Sequence, residues 1–115
     1  MTSDRRDGTA TTPPPENGRQ VERTFGEHRQ GYDLTEIRRT SGGALLRVRI
    51  HRDAYQHQSY ALVEVFTPAM TWTALTHEPA SGWHAATPCR SSGPAPLESL
   101  ADRLFARADA ILRTQ

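Results

Sequence analysis

Arg38, Arg39, Arg47, Arg49 and Arg52 fall within fifteen residues of one another, with Tyr32 before them and Tyr60 after. Guanidinium groups pair with phosphates and aromatic rings stack on bases, so arginines and tyrosines sharing a sheet surface are equipped to bind nucleic acid. The same stretch holds Asp33, Glu36 and Asp53, Glu64 follows, and no RNP-type motif accompanies them. An electrostatic footprint needs excess positive charge, so nucleic-acid binding through these five arginines stands as the alternative reading. Tyrosine and arginine among aliphatic residues also make up protein interfaces. The first expectation is a non-enzymatic interaction module, a homodimer or an adaptor. Its expected contacts are Tyr32, Leu34, Arg47, Arg49, His51, Tyr60, Leu62 and Leu75.

The remaining reactive side chains lack the spacing that chemistry needs. His51 and His77 are expected on one sheet face but two strands apart, roughly 9.5 Å at the backbone, too wide for a shared ion. His57 falls in a hairpin loop and His84 beside Trp83, without a carboxylate or cysteine at ligand spacing. There is no HExxH, CxxC, phosphate-binding glycine loop or nucleophile elbow. No metal, cofactor or catalytic residue is therefore expected, and His51 with Tyr60 and Glu78 is where catalysis would first be sought. Cys89 is the one cysteine, so an internal disulfide is excluded and a reducing compartment is expected.

The elements that must position these residues follow from periodicity. Tyr32 to Arg39 reads as a strand, and Thr40-Ser-Gly-Gly43 as a turn. Leu45 to Asp53 alternates Leu46, Val48 and Ile50 with Arg47, Arg49 and His51, the signature of a half-buried strand. Tyr60 to Phe66 and Thr71 to His77 complete four strands, with a turn at Thr67 to Met70. From Leu97 to Arg113, apolar residues recur at helical spacing. Acids come early and arginines late, as the helix dipole favours, and Asp109 with Arg113 forms an i, i+4 pair. The predicted fold is α+β: a four-stranded antiparallel β-meander followed by one C-terminal α-helix packed on one sheet face. It occupies residues 31–115 and leaves residues 1–30 as a disordered tail, with Pro13 to Pro15 and a helical turn over Val21 to His28 as its only local features.

Register decides which residues share a face, because a one-residue slip moves an entire apolar set to the other side. Matching apolar positions sets Ile37 beside Leu46, Val48 beside Val63, and Trp72 beside Val65. The predicted core face is Ile37, Leu46, Val48, Ile50, Ala61, Val63, Val65, Trp72 and Ala74. The other face then carries the rows Glu36–Arg47–Glu64–Thr73, Leu34–Arg49–Leu62–Leu75 and Tyr32–His51–Tyr60–His77. One helix covers one side only, so an apolar outer face calls for a second copy, a partner, or the tail through Val21 and Phe25.

The block YDLTEIRRTSGGALLRVRIHRDAYQHQSYALVEVFTPAMTWTAL, Tyr32 to Leu75, resembles small uncharacterised proteins of GC-rich bacteria and their phages. That group has no assigned activity, so the resemblance implies nothing about function. All fourteen basic residues are arginine and the formal net charge is +1, which excludes a global field for anionic partners. The N-terminus has no apolar signal-peptide core and no window is long enough to span a membrane, so a cytoplasmic protein is expected.

Overall fold

The structure is a computed structural model that describes residues 18–115. The expected tail over residues 1 to 17, including Pro13 to Pro15, lies outside the described residues. Five strands form one antiparallel sheet in sequence order: β1 (Arg19–His28), β2 (Gly31–Arg39), β3 (Leu45–Asp53), β4 (Tyr60–Phe66) and β5 (Trp72–His77). Short 3-10 turns at Gln56–Gln58, Ala80–Gly82 and His84–Ala86 punctuate the connections, and α1 (Ala95–Arg113) ends the chain. Among the described residues no helix is long and apolar enough to cross a membrane.

The α+β architecture and the helix on one sheet face agree with the expectation; the strand count does not. The fifth strand, β1, is a stretch expected to be tail with a helical turn. It pairs with β2 from Arg19 opposite Arg39 to His28 opposite Gly31, with a bulge at Val21. Its apolar signal is weak because it is an edge strand. Phe25 packs against the core beside Tyr32, with ring centroids 6.1 Å apart, while Val21 is exposed.

The β3–β4 register is as predicted: Leu46 faces Val65, Arg47 faces Glu64, and His51 faces Tyr60. Both neighbouring hairpins are displaced by one residue. Ile37 pairs with Arg47 and Arg38 with Leu46, so Tyr32, Leu34, Glu36 and Arg38 turn toward the helix and Ile37 away from it. On the other side Phe66 pairs with Trp72 and Glu64 with Ala74, which moves Trp72 and Ala74 to the outer face.

One backbone device explains both corrections. Each loop has three residues where an even number was expected. In the first, Thr40 N–H donates to Ala44 O (2.8 Å) and Gly43 N–H to Thr40 O (2.9 Å). In the second, Thr67 N–H donates to Thr71 O (2.8 Å) and Met70 N–H to Thr67 O (2.9 Å). The last loop residue is left-handed in each, Gly43 at φ 93° and Met70 at φ 67°, as three-residue hairpin loops require. An odd loop exchanges the two faces of the following strand.

The core forms between one sheet face and one helix stripe. Leu46, Val48, Ile50, Ala61 and Val63 meet Leu97, Leu100, Ala101, Leu104, Phe105 and Ala108, all buried. Tyr32 and Leu34 join them with no exposed surface, and Trp83 closes one end. Burial pushes the Tyr32 hydroxyl above its ordinary range, against the pull of Arg52, and the hydroxyl donates to Pro88 O at 2.6 Å. Asp109 and Arg113 form the predicted pair at 2.8 Å.

Charged side chains enter this layer in pairs and clusters, although Arg23 Nε and Arg38 Nη1 are buried without a hydrogen-bond partner. Arg38 Nε donates to Glu36 (2.7 Å), its Nη2 to Asp102 (2.7 Å), and its guanidinium lies 4.2 Å over the Phe105 ring. Arg23 reaches from β1 to both Glu36 (3.1 Å) and Glu98 (2.7 Å), tying the edge strand to the helix. Arg52 donates to Thr87 Oγ1, Thr87 O, His84 O and Asp53 O, so it holds the connection before the helix against the sheet. Glu78 is clasped by Arg103 (2.7 Å) and Arg107 (3.2 Å) of α1.

Candidate functional site

The sheet face opposite α1 is open: the one helix packs on the other side, and no further layer of the described chain lies over it. Strand alternation projects onto it Glu22, Thr24 and His28 from β1, Asp33, Thr35 and Ile37 from β2, Arg47, Arg49 and His51 from β3, Tyr60, Leu62 and Phe66 from β4, and Trp72 and Ala74 from β5.

Five of the eight expected contact residues stand on this face: Arg47, Arg49, His51, Tyr60 and Leu62. Tyr32 and Leu34 do not. The β2 register buries both under the helix. Leu75 does not either, because it is the extra residue of a bulge in β5 and leans against the core. Of the five arginines in the alternative reading, Arg38 and Arg52 are buried on the helix side and bonded to groups there. Arg39 is exposed and donates to Gly43 O at 3.1 Å. Arg47 and Arg49 remain, both bonded to one carboxylate. Arg47 Nε meets Glu64 Oε1 at 2.8 Å, and Arg49 meets Oε1 at 3.0 Å and Oε2 at 3.2 Å. Burial alone would raise the Glu64 carboxyl, but the hydrogen bonds and charges of the two arginines more than offset it and hold it below the usual range.

An aromatic platform continues from this ion pair. The Arg47 guanidinium lies 4.4 Å over the Trp72 ring, and Phe66 packs against Trp72 with centroids 5.1 Å apart. Ile37 and Leu62, both half-buried, complete the apolar part.

At the other end of the face the structure gathers a cluster that sequence reasoning missed. His28 stacks on His51 with centroids 5.0 Å apart and planes 10° from parallel, and Tyr60 stacks on the other side of His51 at 5.4 Å. Asp33 lies between the two imidazoles, with Oδ1 2.5 Å from His51 Nδ1 and Oδ2 3.2 Å from His28 Nε2. Asp53 Oδ2 lies 3.4 Å from His51 Nε2. The Tyr55 backbone N–H donates to Asp53 at 3.0 Å and, against its burial, holds that carboxyl below the usual range, with His51 adding to the effect. His77 stands one row away, beside Leu62, and Glu78 belongs to the helix contacts, so neither shares a site with His51.

Glycine makes this cluster geometrically accessible. A Cβ on Gly31 would lie 1.8 Å from the Arg52 carbonyl oxygen, so only glycine lets the β1–β2 hairpin close against β3. Gly26, opposite Asp33, leaves open space beside the carboxylate. The available sequence signal was the turn-forming Gln30-Gly31 after Val21, Thr24 and Phe25, residues that favour strands.

Comparison of the chain with protein-family models, with curated proteins and with solved structures finds no match.

Proposed function

We propose that this protein is a non-enzymatic interaction module whose open sheet face packs against a second copy of the same chain. The observation that carries this reading is the face itself: Ile37, Leu62, Phe66, Trp72 and Tyr60 are partly exposed around the Arg47–Glu64–Arg49 ion pair, with no layer of the described chain above them. Aromatic residues and arginine with a polar surround form the usual centre of a protein interface.

A second copy is the favoured occupant for two reasons. The face carries charges of both signs, with Arg47 and Arg49 against Glu22, Asp33 and Glu64, so two copies can meet without the repulsion of a single-signed surface. Strands of six to ten residues, five abreast, make a face on the order of 20 by 25 Å, about the least that each partner of a specific dimer buries. Edge-to-edge pairing is disfavoured, because both outer strands are interrupted. Val21 bulges from β1, between Gln20 and Glu22, and Leu75 from β5.

The non-enzymatic part of the reading rests on the same geometry. Both ring nitrogens of His51 face carboxylates, and among the described residues no hydroxyl or thiol hydrogen-bonds to it. Nucleic-acid binding loses its support, because Arg38 and Arg52 point inward and Glu64 neutralises much of what Arg47 and Arg49 offer.

Light-scattering mass over protein concentrations up to about 1 mM, where even a weak association is half formed, tests the proposal. The expected result is a dimer that Leu62→Arg converts to a folded monomer. A monomer at every concentration, or a dimer indifferent to Leu62→Arg, would overturn it.

A further inference from the structure

We propose that His28, Asp33 and His51 form a binding site for a divalent first-row transition ion of the zinc class, clipping β1, β2 and β3 together at one end of the open face. The inference is independent of what docks on the rest of that face.

The three residues each offer one ligand atom, and these atoms all lie within 4.8 Å of one another. Bonds of about 2.0–2.1 Å at tetrahedral angles place ligand atoms roughly 3.3 Å apart. Asp33 meets the two rings through different oxygens, Oδ2 at 3.2 Å from His28 Nε2 and Oδ1 at 2.5 Å from His51 Nδ1, so small side-chain rotations bring one oxygen and both nitrogens to that spacing. Two imidazole nitrogens with one carboxylate suit zinc and its neighbours; magnesium and calcium prefer sites made of oxygen. Ligand nitrogens must be deprotonated, so the ion competes with protons for His28 Nε2 and His51 Nδ1.

Two further features fit a metal site. His51 presents Nδ1 to Asp33 while Nε2 faces Asp53, so ligation through Nδ1 leaves the Nε2–H directed at a carboxylate. That outer contact orients metal-bound histidines and raises their basicity. His51 is also held between rings, with Tyr60 behind it, whereas His28 stands at the edge of the sheet. Lone pairs of parallel rings do not converge, so loading requires the His28 ring to turn out of its stack. Its side chain is 37% exposed and has room to do so. The Asp33 side chain is likewise open to solvent, which gives the ion a route to the site.

The test is titration of the metal-free full-length chain with ZnCl2 by calorimetry and with CoCl2 by visible absorption. One ion per chain is expected, with a Kd of about 1–10 µM, because the protein supplies three ligands and leaves the remaining position to water. His28→Ala, an exposed change on an edge strand, should weaken binding at least about 100-fold, and Asp53→Asn about 10- to 100-fold. Zn2+ should raise the melting temperature of the wild type and not of His28→Ala. Should His28→Ala fail to fold, Asp33→Asn serves the same purpose. His77→Ala and Cys89→Ser should bind as the wild type does. The proposal is overturned by no saturable binding up to about 1 mM Zn2+, by undiminished binding in the ligand variants, or by loss of binding in Cys89→Ser, which would move the ion to Cys89.

Discussion

Gly31 lies so close to Arg52 that a Cβ on it would sit 1.8 Å from the Arg52 carbonyl oxygen. This contact brings the β1–β2 hairpin against β3 and sets His28 over His51. Gly31→Ala must push the two backbones apart, at a cost of about 1–3 kcal/mol. Urea unfolding should show the loss of stability. Proton NMR should show the His28 and His51 ring resonances moving toward unstacked positions.

Glu64 anchors the outer face, and acid should reveal it. The folded carboxyls of Glu64 and Glu78 sit below their ordinary value of 4.5. For Glu78 the leading cause is the hydrogen bond from Arg103, opposed by burial. A depressed folded pKa contributes stability that is fully present above the unfolded value and lost as pH falls through the folded one. Unfolding midpoints should therefore hold between pH 7 and about 5 and drop progressively below 4.5. In Glu64→Gln the acid slope should be shallower, while stability at neutral pH falls by about 1–2 kcal/mol as Arg47 and Arg49 lose the carboxylate charge and one of its two acceptor oxygens.

Met70 occupies the left-handed position that glycine fills in the equivalent loop at Gly43. Its side chain is exposed, so little packing is lost on its removal. Met70→Gly should stabilise the protein by about 0.5–1 kcal/mol, the relief of left-handed strain less the entropy of a freer unfolded chain. A higher urea midpoint with an unchanged slope would verify it.

Phe105 fills the core and lies under the Arg38 guanidinium. Phe105→Ala should cost about 3–5 kcal/mol, as a cavity opens at the helix–sheet contact. Hydrogen exchange of the β2 and β3 amides should accelerate with it. A loss below 1 kcal/mol would mean that the helix is not seated on the sheet as described.

The β3–β4 hairpin and α1 were legible because their signals are local and strong. Leu46, Val48 and Ile50 alternate with Arg47, Arg49 and His51, and Leu97 to Leu112 keep helical period. Both patterns come from burying one face of one element. Strand β1 was not legible: an edge strand with a half-exposed Phe25 and an exposed Val21 buries too little to imprint an alternation, and its pairing depends on β2 being present.

The sequence by itself determined that this chain makes an antiparallel sheet with a terminal helix, and that β3 and β4 share the register of their apolar residues. Tertiary structure alone decided the faces of β2 and β5. Those depend on the parity of the loops at Ser41 to Gly43 and Pro68 to Met70, and backbone hydrogen bonds set that parity, with no trace in hydrophobic pattern. One loop residue moved Tyr32 and Leu34 into the core and Trp72 out of it. The cluster of His28, Asp33 and His51 was likewise beyond sequence alone, because its members come from three strands and meet only when Gly31 lets them close.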